Sequence, residues 1–209
     1  MGKLENKKQQ KLTSLLNTAF HLFTTQGFSK TSIAEISQKA GIAKGTFYLY
    51  FKDKIDIRNY LISHESSKLF KNAVSALDEK NNHKSESLPL EDKIIFIVDH
   101  IIDELNTNQA LLTFISKNLS WGIFKEALTT KVSENDINFK DVYYTMISEA
   151  GVDLEEPEIM LFLIVELVSS TCYSAILYKE PADIDTIKPY LYKTVRAIIR
   201  EHYALPSSS

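Results

Sequence analysis

Apolar residues return every three or four positions along most of this chain, the spacing of amphipathic helices. Leu12, Leu15, Leu16, Ala19, Phe20 and Phe23 form one such face, and Gly27 supplies the stop. A second helix starts near Thr31, where Ser32 and Glu35 fit a capping box ahead of the stripe Ile33, Ile36 and Ala40. Gly41 breaks the chain again, and a short third helix is predicted over about 44–50. With Asp53 as N-cap, a longer helix runs to about Leu77. The polar stretch 78–89 reads as a loop. Beyond it come Ile94, Ile97, Val98, Ile101, Ile102 and Leu105, then Leu111, Phe114, Ile115 and Leu119. Further stripes are Phe139, Val142, Tyr143, Met146, Ile147 and Ala150, closed by Gly151, and Ile187, Tyr190, Leu191, Thr194, Val195 and Ile198. No segment alternates with period two, so the expected fold class is all-α.

The segment 159–178 departs from this rhythm. It is apolar on every side, has the length of a membrane span and carries one charge, Glu166. Its second half is moderated by Ser169, Ser170, Thr171 and Ser174, and the acidic "DLEEPE" precedes it where a basic flank is usual. Burial from two sides, against its own domain and a partner subunit, explains it better than a bilayer. No membrane partner is expected.

Composition adds a folded, reduced protein. The hydrophobic fraction is 44%, with only six Gly and five Pro, enough for a core and unlike a disordered chain. The single Cys172 excludes an intramolecular disulfide and a cysteine-based zinc site. The polar amino terminus lacks the apolar run of a signal peptide, so the expected location is cytoplasmic. The net charge of -3 hides an asymmetry: residues 1–58 hold ten Lys and Arg against four acids, leaving 14 bases and 23 acids for the rest. A basic head on an acidic body suggests a polyanionic partner for the head.

That head contains "GIAKGTFYLYFKDK", residues 41–54. Helix, glycine turn and short helix make a helix-turn-helix, whose second helix enters the DNA major groove by its amino-terminal end. Gly45 and Thr46 leave room for close approach. Lys44 can reach a guanine edge or a phosphate, and Thr46 offers a hydroxyl and a methyl. Tyr48, Tyr50 and Lys54 suit phosphate oxygens, as do Thr31 and Ser32 at the start of the second helix. Ile42, Phe47 and Phe51 pack inward.

The stretch "TSIAEISQKAGIAKGTFYLYFKDK" resembles the DNA-binding signature of TetR-family transcriptional regulators, approximately T-x-x-x-I-A-x-x-A-G-V-S-x-G-x-x-Y-x-Y-F-x-x-K. Thr31, Ile36, Ala40, Gly41, Gly45, Tyr48, Tyr50, Phe51 and Lys54 match it. Ser37 stands for Ala, Ile42 for Val and Ala43 for Ser; the last removes a side-chain cap worth about 1 kcal/mol. The signature covers roughly the first quarter of the chain. It implies a three-helix DNA-binding domain over 1–54, a linker helix from about 53, and a helical effector-binding and dimerisation domain over 55–209.

The resemblance further implies a homodimer built on the last two long helices, with Phe162, Glu166, Ser169, Tyr173, Tyr190, Thr194 and Ile198 at its interface. It implies a repressor released from a palindromic double-stranded DNA operator by a small-molecule effector. Aromatic residues of the body make the effector apolar or aromatic, with Phe96, His100, Phe114, Trp121, Tyr143, Met146 and Tyr173 as candidate lining. No cofactor or metal is expected; Asp99, His100, Asp103 and Glu104 lie within helical reach of one another but read as a solvated face. The fingerprints H-E-x-x-H, G-x-S-x-G, the P-loop and the dinucleotide turn are absent, so no enzyme is expected. The alternative is an effector-independent DNA-binding protein acting in chromosome organisation or division control, whose body would lack an accessible cavity.

Overall fold

The computed structural model describes residues 3–82, 88–118 and 139–204. Among these the chain forms nine α-helices: α1 Lys3–Thr25, α2 Ile33–Lys39, α3 Lys44–Phe47, α4 Lys54–Asn82, α5 Leu90–Thr107, α6 Gln109–Asn118, α7 Phe139–Ala150, α8 Pro157–Leu177 and α9 Ile184–Glu201. The extended pairing found among the described residues is one isolated bridge, Leu154 with Tyr203. The fold is all-α, as the periodicity predicts. The chain divides into two compact units, Met1–Glu65 and Ser66–Ser209, and the division falls inside α4.

The first unit packs Leu15, Ala19, Leu22 and Phe23 of α1 with Ile36 of α2, Phe47 of α3, Phe51, and Ile57, Leu61 and Ile62 of α4. Two glycines turn the chain between its helices with positive φ, Gly27 at 89° and Gly41 at 71°, a region that costs other residues strain. Three boundaries differ from the periodicity. α1 starts at Lys3, because the run before Leu12, exposed from Glu5 to Lys11, is mostly Lys, Glu and Gln, good helix formers that need no apolar face. α4 continues to Asn82 through the polar residues Asp78, Glu79, Lys80 and Asn81. α3 stops at Phe47 and the chain turns through 48–50; its N-cap, Ala43, makes no side-chain hydrogen bond.

In the second unit α5 is central, with Ile94, Ile97, Val98, Ile102 and Leu105 buried. α8 buries Met160, Ile164, Val168, Cys172, Ala175 and Ile176. α9 lies along α5 through a ladder of charges at four-residue intervals. Lys188 pairs with Asp99 at 2.8 Å and with Asp103; Arg196 pairs with Asp92 at 2.6 Å; Arg200 pairs with Glu91 at 3.0 Å. Tyr192 donates to Asp99 between them. Asp99 and Asp103 therefore serve this seam, and Glu104 accepts from Asn72.

Candidate nucleic-acid interface and effector cavity

The interface is built from the turn between α2 and α3 outward. Ser32 caps α2 by accepting from the Glu35 N–H at 3.1 Å. Only half of the capping box forms: the Glu35 carboxylate accepts from Gln26 at 2.8 Å and pairs with Lys39 at 3.2 Å, and both contacts lower its pKa. Ser14 on α1 donates to the Ala40 carbonyl at 3.0 Å and fixes the carboxyl end of α2. Phe47 and Phe51 are buried with ring centroids 5.8 Å apart, and Tyr48 meets Phe47 edge-on. This aromatic footing holds α3 with Lys44, Gly45 and Tyr48 exposed and Thr46 half-buried.

The remaining signature residues occupy less open positions. Thr31 is buried; its hydroxyl donates to the Gly27 carbonyl at 2.9 Å and accepts from Gln26. The half-buried Lys54 donates to the carbonyls of Phe28 and Thr31 at 2.8 Å each, 4.3 Å from the Phe28 ring centroid. The hydroxyl of Tyr50 donates to the Lys8 carbonyl on α1 at 3.2 Å. Lys44, Gly45, Tyr48 and the cap Ser32 thus share the exposed surface, whereas Thr31 and Lys54 brace the loop behind it.

Periodicity alone misses Leu49, 80% exposed beside Tyr48. The signal was available: Leu49 lies two residues from both Phe47 and Phe51, out of phase with the buried stripe. Lys52, also exposed, adds charge at the same edge.

The second unit holds a cavity of about 150 Å³. α5 contributes Ile94, Ile97, Val98, Ile101 and Leu105; α8 contributes Leu161, Ile164, Val165, Val168 and Ser169. Ser66, Ser67, Leu69 and Phe70 of α4, Ile115 and Ser116 of α6, and Phe139, Tyr143 and Met146 of α7 complete it. None of these residues is charged. Burial pushes the Tyr143 phenol up, and its hydroxyl donates to the Pro157 carbonyl at 2.7 Å.

Of the residues expected to line an effector site, Tyr143 and Met146 are on the wall of this cavity, and Trp121 lies outside the described residues. Phe96, His100, Phe114 and Tyr173 are not on the cavity wall. Phe96 stacks on His100 and takes the Lys80 ammonium 4.3 Å from its centroid, Phe114 is buried elsewhere, and Tyr173 shares a hydroxyl hydrogen bond with Tyr178. The wall is mainly aliphatic, with the rings of Phe70, Phe139 and Tyr143 and the hydroxyls of Ser66, Ser67, Ser116 and Ser169 among its residues. Cys172 is fully buried, and burial pushes its thiol up to about 12.

Among the described residues, α8 is one helix long and apolar enough to cross a membrane, with one face in the core. Its other face leaves Ile159 and Leu163 exposed, with Glu166 and Ser170 on the following turns. Of the expected interface residues, Glu166, Tyr190 and Thr194 are exposed, and Phe162, Tyr173 and Ile198 half-buried. Ser169 is on the cavity wall.

Residues 15–61 match the model of the bacterial regulatory proteins, tetR family. The HTH-type transcriptional regulator AcrR of Shigella flexneri is 40% identical over 55 residues, 26% of each chain. The fatty acid metabolism regulator protein of Bacillus subtilis is 28% identical over 80 residues, 38% of this chain and 41% of that protein. The chain thus spans well under half the length of these curated relatives. The transcriptional regulator FadR of Bacillus subtilis, solved in complex with stearoyl-CoA, superposes with a TM-score of 0.63 at 15% identity, covering 88% of this chain and 97% of that one. At that identity the likeness is one of fold.

Proposed function

The amino-terminal head of this chain belongs to the tetR family of bacterial regulatory proteins, and from that premise we propose a cytoplasmic, homodimeric transcriptional repressor that leaves a palindromic operator when a small apolar molecule fills its body. The observation that carries the reading is the α3 surface. Lys44, Gly45 and Tyr48 stand exposed on a buried Phe47–Phe51 footing, in a head with ten basic and four acidic residues through Arg58. Lys44, Gly45 and Thr46 face base edges, while Ser32 and Tyr48 hold phosphates. Thr31 and Lys54 keep those groups in place by bracing the loop.

One head contacts few base pairs. Two heads on a two-fold axis read two half-sites and combine their affinities, which gives dimerisation its purpose. The exposed apolar face of α8 supports that assembly, with Ile159 and Leu163 one turn apart on it, 49% and 41% exposed.

The cavity wall, mainly aliphatic with three aromatic rings and no charge among its residues, supports an apolar effector. A relative concerned with fatty acid metabolism and a fold neighbour holding stearoyl-CoA point the same way. An effector that prefers the DNA-incompetent state must, by linkage, bind the DNA complex more weakly.

The test is fluorescence anisotropy of the full chain on DNA from upstream of its own gene, with excess unrelated competitor at two salt concentrations. Binding that survives competitor is expected. Binding that vanishes with competitor or salt on every fragment tried reduces the head to nonspecific backbone attraction and sinks the proposal.

A further inference from the structure

We propose that the buried ammonium of Lys93 receives the carboxylate of an otherwise aliphatic ligand and gives up Glu149 to do so. The proposal rests on the reading of the body's cavity as an effector site and names the chemical class that site takes: medium-chain monocarboxylates.

Lys93 is 3% exposed in the first turn of α5, as deeply buried as the neighbouring aliphatic residues. A buried ammonium with three donors demands acceptors. It pairs with Glu149 on α7 at 3.4 Å, longer than the roughly 2.7–2.9 Å of a well-formed charge-assisted hydrogen bond. The Glu149 side chain is 60% exposed, so it reaches in from solvent and can return there at little cost. The pair is poorly matched as a purely structural clamp: one member is committed to the interior and the other is not.

Its placement gives the mismatch a use. Lys93 precedes Ile97 by four residues on α5, and Glu149 follows Met146 by three on α7; Ile97 and Met146 both line the cavity. Residues at those spacings share a helix face. Ile94, beside Lys93, lines the cavity as well, so the ion pair lies in the α5–α7 seam at the cavity's edge. Among the described residues the wall carries no charge, and the Tyr143 hydroxyl donates to the Pro157 carbonyl. An alkyl chain lying between Ile97 and Met146 brings its polar end to this seam. A carboxylate there replaces Glu149 one charge for one, so the buried ammonium never stands unpaired. A neutral head group cannot make that exchange.

Isothermal titration of the full chain with octanoate, 1-octanol, methyl octanoate and octanoyl-CoA, at pH 7, tests this on the wild type, Glu149→Gln and Lys93→Met. In the wild type octanoate should bind about ten-fold more tightly than octanol or the ester. Glu149→Gln should tighten octanoate several-fold and leave octanol unchanged, because the competing carboxylate is gone. Lys93→Met should weaken octanoate to the level of octanol without weakening octanol. A structural role for the pair predicts instead that both substitutions weaken all ligands together. Equal binding of acid and alcohol by the wild type, tighter binding of the thioester, or weaker octanoate binding by Glu149→Gln overturns the proposal while leaving the cavity as an effector site. Failure of all four compounds to bind overturns the cavity reading and the proposal with it. Should Lys93→Met not fold, the sign of the Glu149→Gln effect still decides.

Discussion

Lys54 holds Thr31: its ammonium donates to the Thr31 carbonyl at 2.8 Å and to the Phe28 carbonyl at the same distance. The two residues come from opposite ends of the DNA-binding signature, 23 positions apart. The bond ties the first turn of α4 to the loop before α2, and Phe28 places its ring under both Lys54 and Arg58. Thr31 answers from its side by donating to Gly27. Two of the residues expected at phosphates therefore fix the geometry of the residues that would touch DNA.

Lys54→Met should accordingly act on stability first. It removes a charge-assisted contact to two carbonyls and should cost about 2 kcal/mol. DNA binding should weaken alike on operator and altered sites, with the salt slope unchanged. Thermal unfolding followed by circular dichroism, alongside anisotropy at several salt concentrations, checks both parts. A slope that falls by about one unit with stability intact would put Lys54 on a phosphate instead.

Much of this architecture is legible in the chain before folding, for identifiable reasons. Ser32 and Asp53 announce their helices because a capping oxygen must lie next to free N–H groups. Asp53 accepts from Ile55 and Asp56 at 2.7 and 2.8 Å, as a cap should. The buried Phe47 and Phe51 follow from spacing alone. Burial between helices is not local, and there the reading fails. Phe96 and Tyr143 are both aromatic residues on amphipathic helices, yet only Tyr143 reaches the cavity, because α5 turns Phe96 toward Lys80. Lys93 looks like any surface lysine in the sequence, yet it is buried and pairs with Glu149 on α7.

Gly45 separates the demands of the fold from those of DNA. A Cβ built on it meets nothing within 4 Å, and its φ is not in the left-handed region. Gly45→Ala should leave the protein as stable or up to about 1 kcal/mol more stable, since Ala favours a helix. If the glycine is there to let the backbone approach DNA, the same substitution should lower operator affinity at least about ten-fold, a loss on the scale of one good base contact. Lys44→Ala, in contrast, should narrow the gap between operator and single-base variants. Equal affinity of wild type and Gly45→Ala for the selected operator would remove Gly45 from the interface.

Leu163→Lys probes the outer face of α8. Leu163 is 41% exposed, so a lysine there is tolerated by the isolated chain but opposes an apolar contact with a second copy. Light scattering after size exclusion should report a dimer for the wild type and a monomer for the variant, with the circular dichroism spectrum unchanged. The monomer should bind a half-site weakly and show no advantage on a palindrome. A variant that remains dimeric at micromolar concentration would move the interface away from this face.

Ile101→Phe fills the cavity from its α5 wall. Overpacking should cost about 1–3 kcal/mol. Apolar compounds that raise the melting temperature of the wild type should lose their effect on the variant, while operator binding persists and becomes insensitive to them. Loss of DNA binding together with ligand response would show that the substitution disturbed more than the cavity.

The ladder between α5 and α9 sets a pH window for the body. Burial pushes the Asp99 carboxyl up, but hydrogen bonds from Lys188 and Tyr192 outweigh it and hold the group below its ordinary value. Glu91 is held low by Arg200, against burial, with Arg196 assisting. Burial draws Lys188 down, but Asp103 and Asp99 raise it above its ordinary value. A depressed carboxyl stabilises the fold fully above its unfolded pKa, about 4, and stops doing so as pH falls through the lower folded value. A raised ammonium stabilises fully below its unfolded pKa, about 10.4, and stops as pH rises through the higher folded value. The seam should therefore contribute a constant amount between about pH 5 and pH 9. Melting curves of wild type and Asp99→Asn from pH 2.5 to pH 8 check the acid limb. The variant should melt lower across the plateau, and the difference should shrink as the wild type protonates below about pH 4. A difference that stays constant to the acid end would mean that Asp99 acts in the seam through its shape and hydrogen bonds, not through its charge.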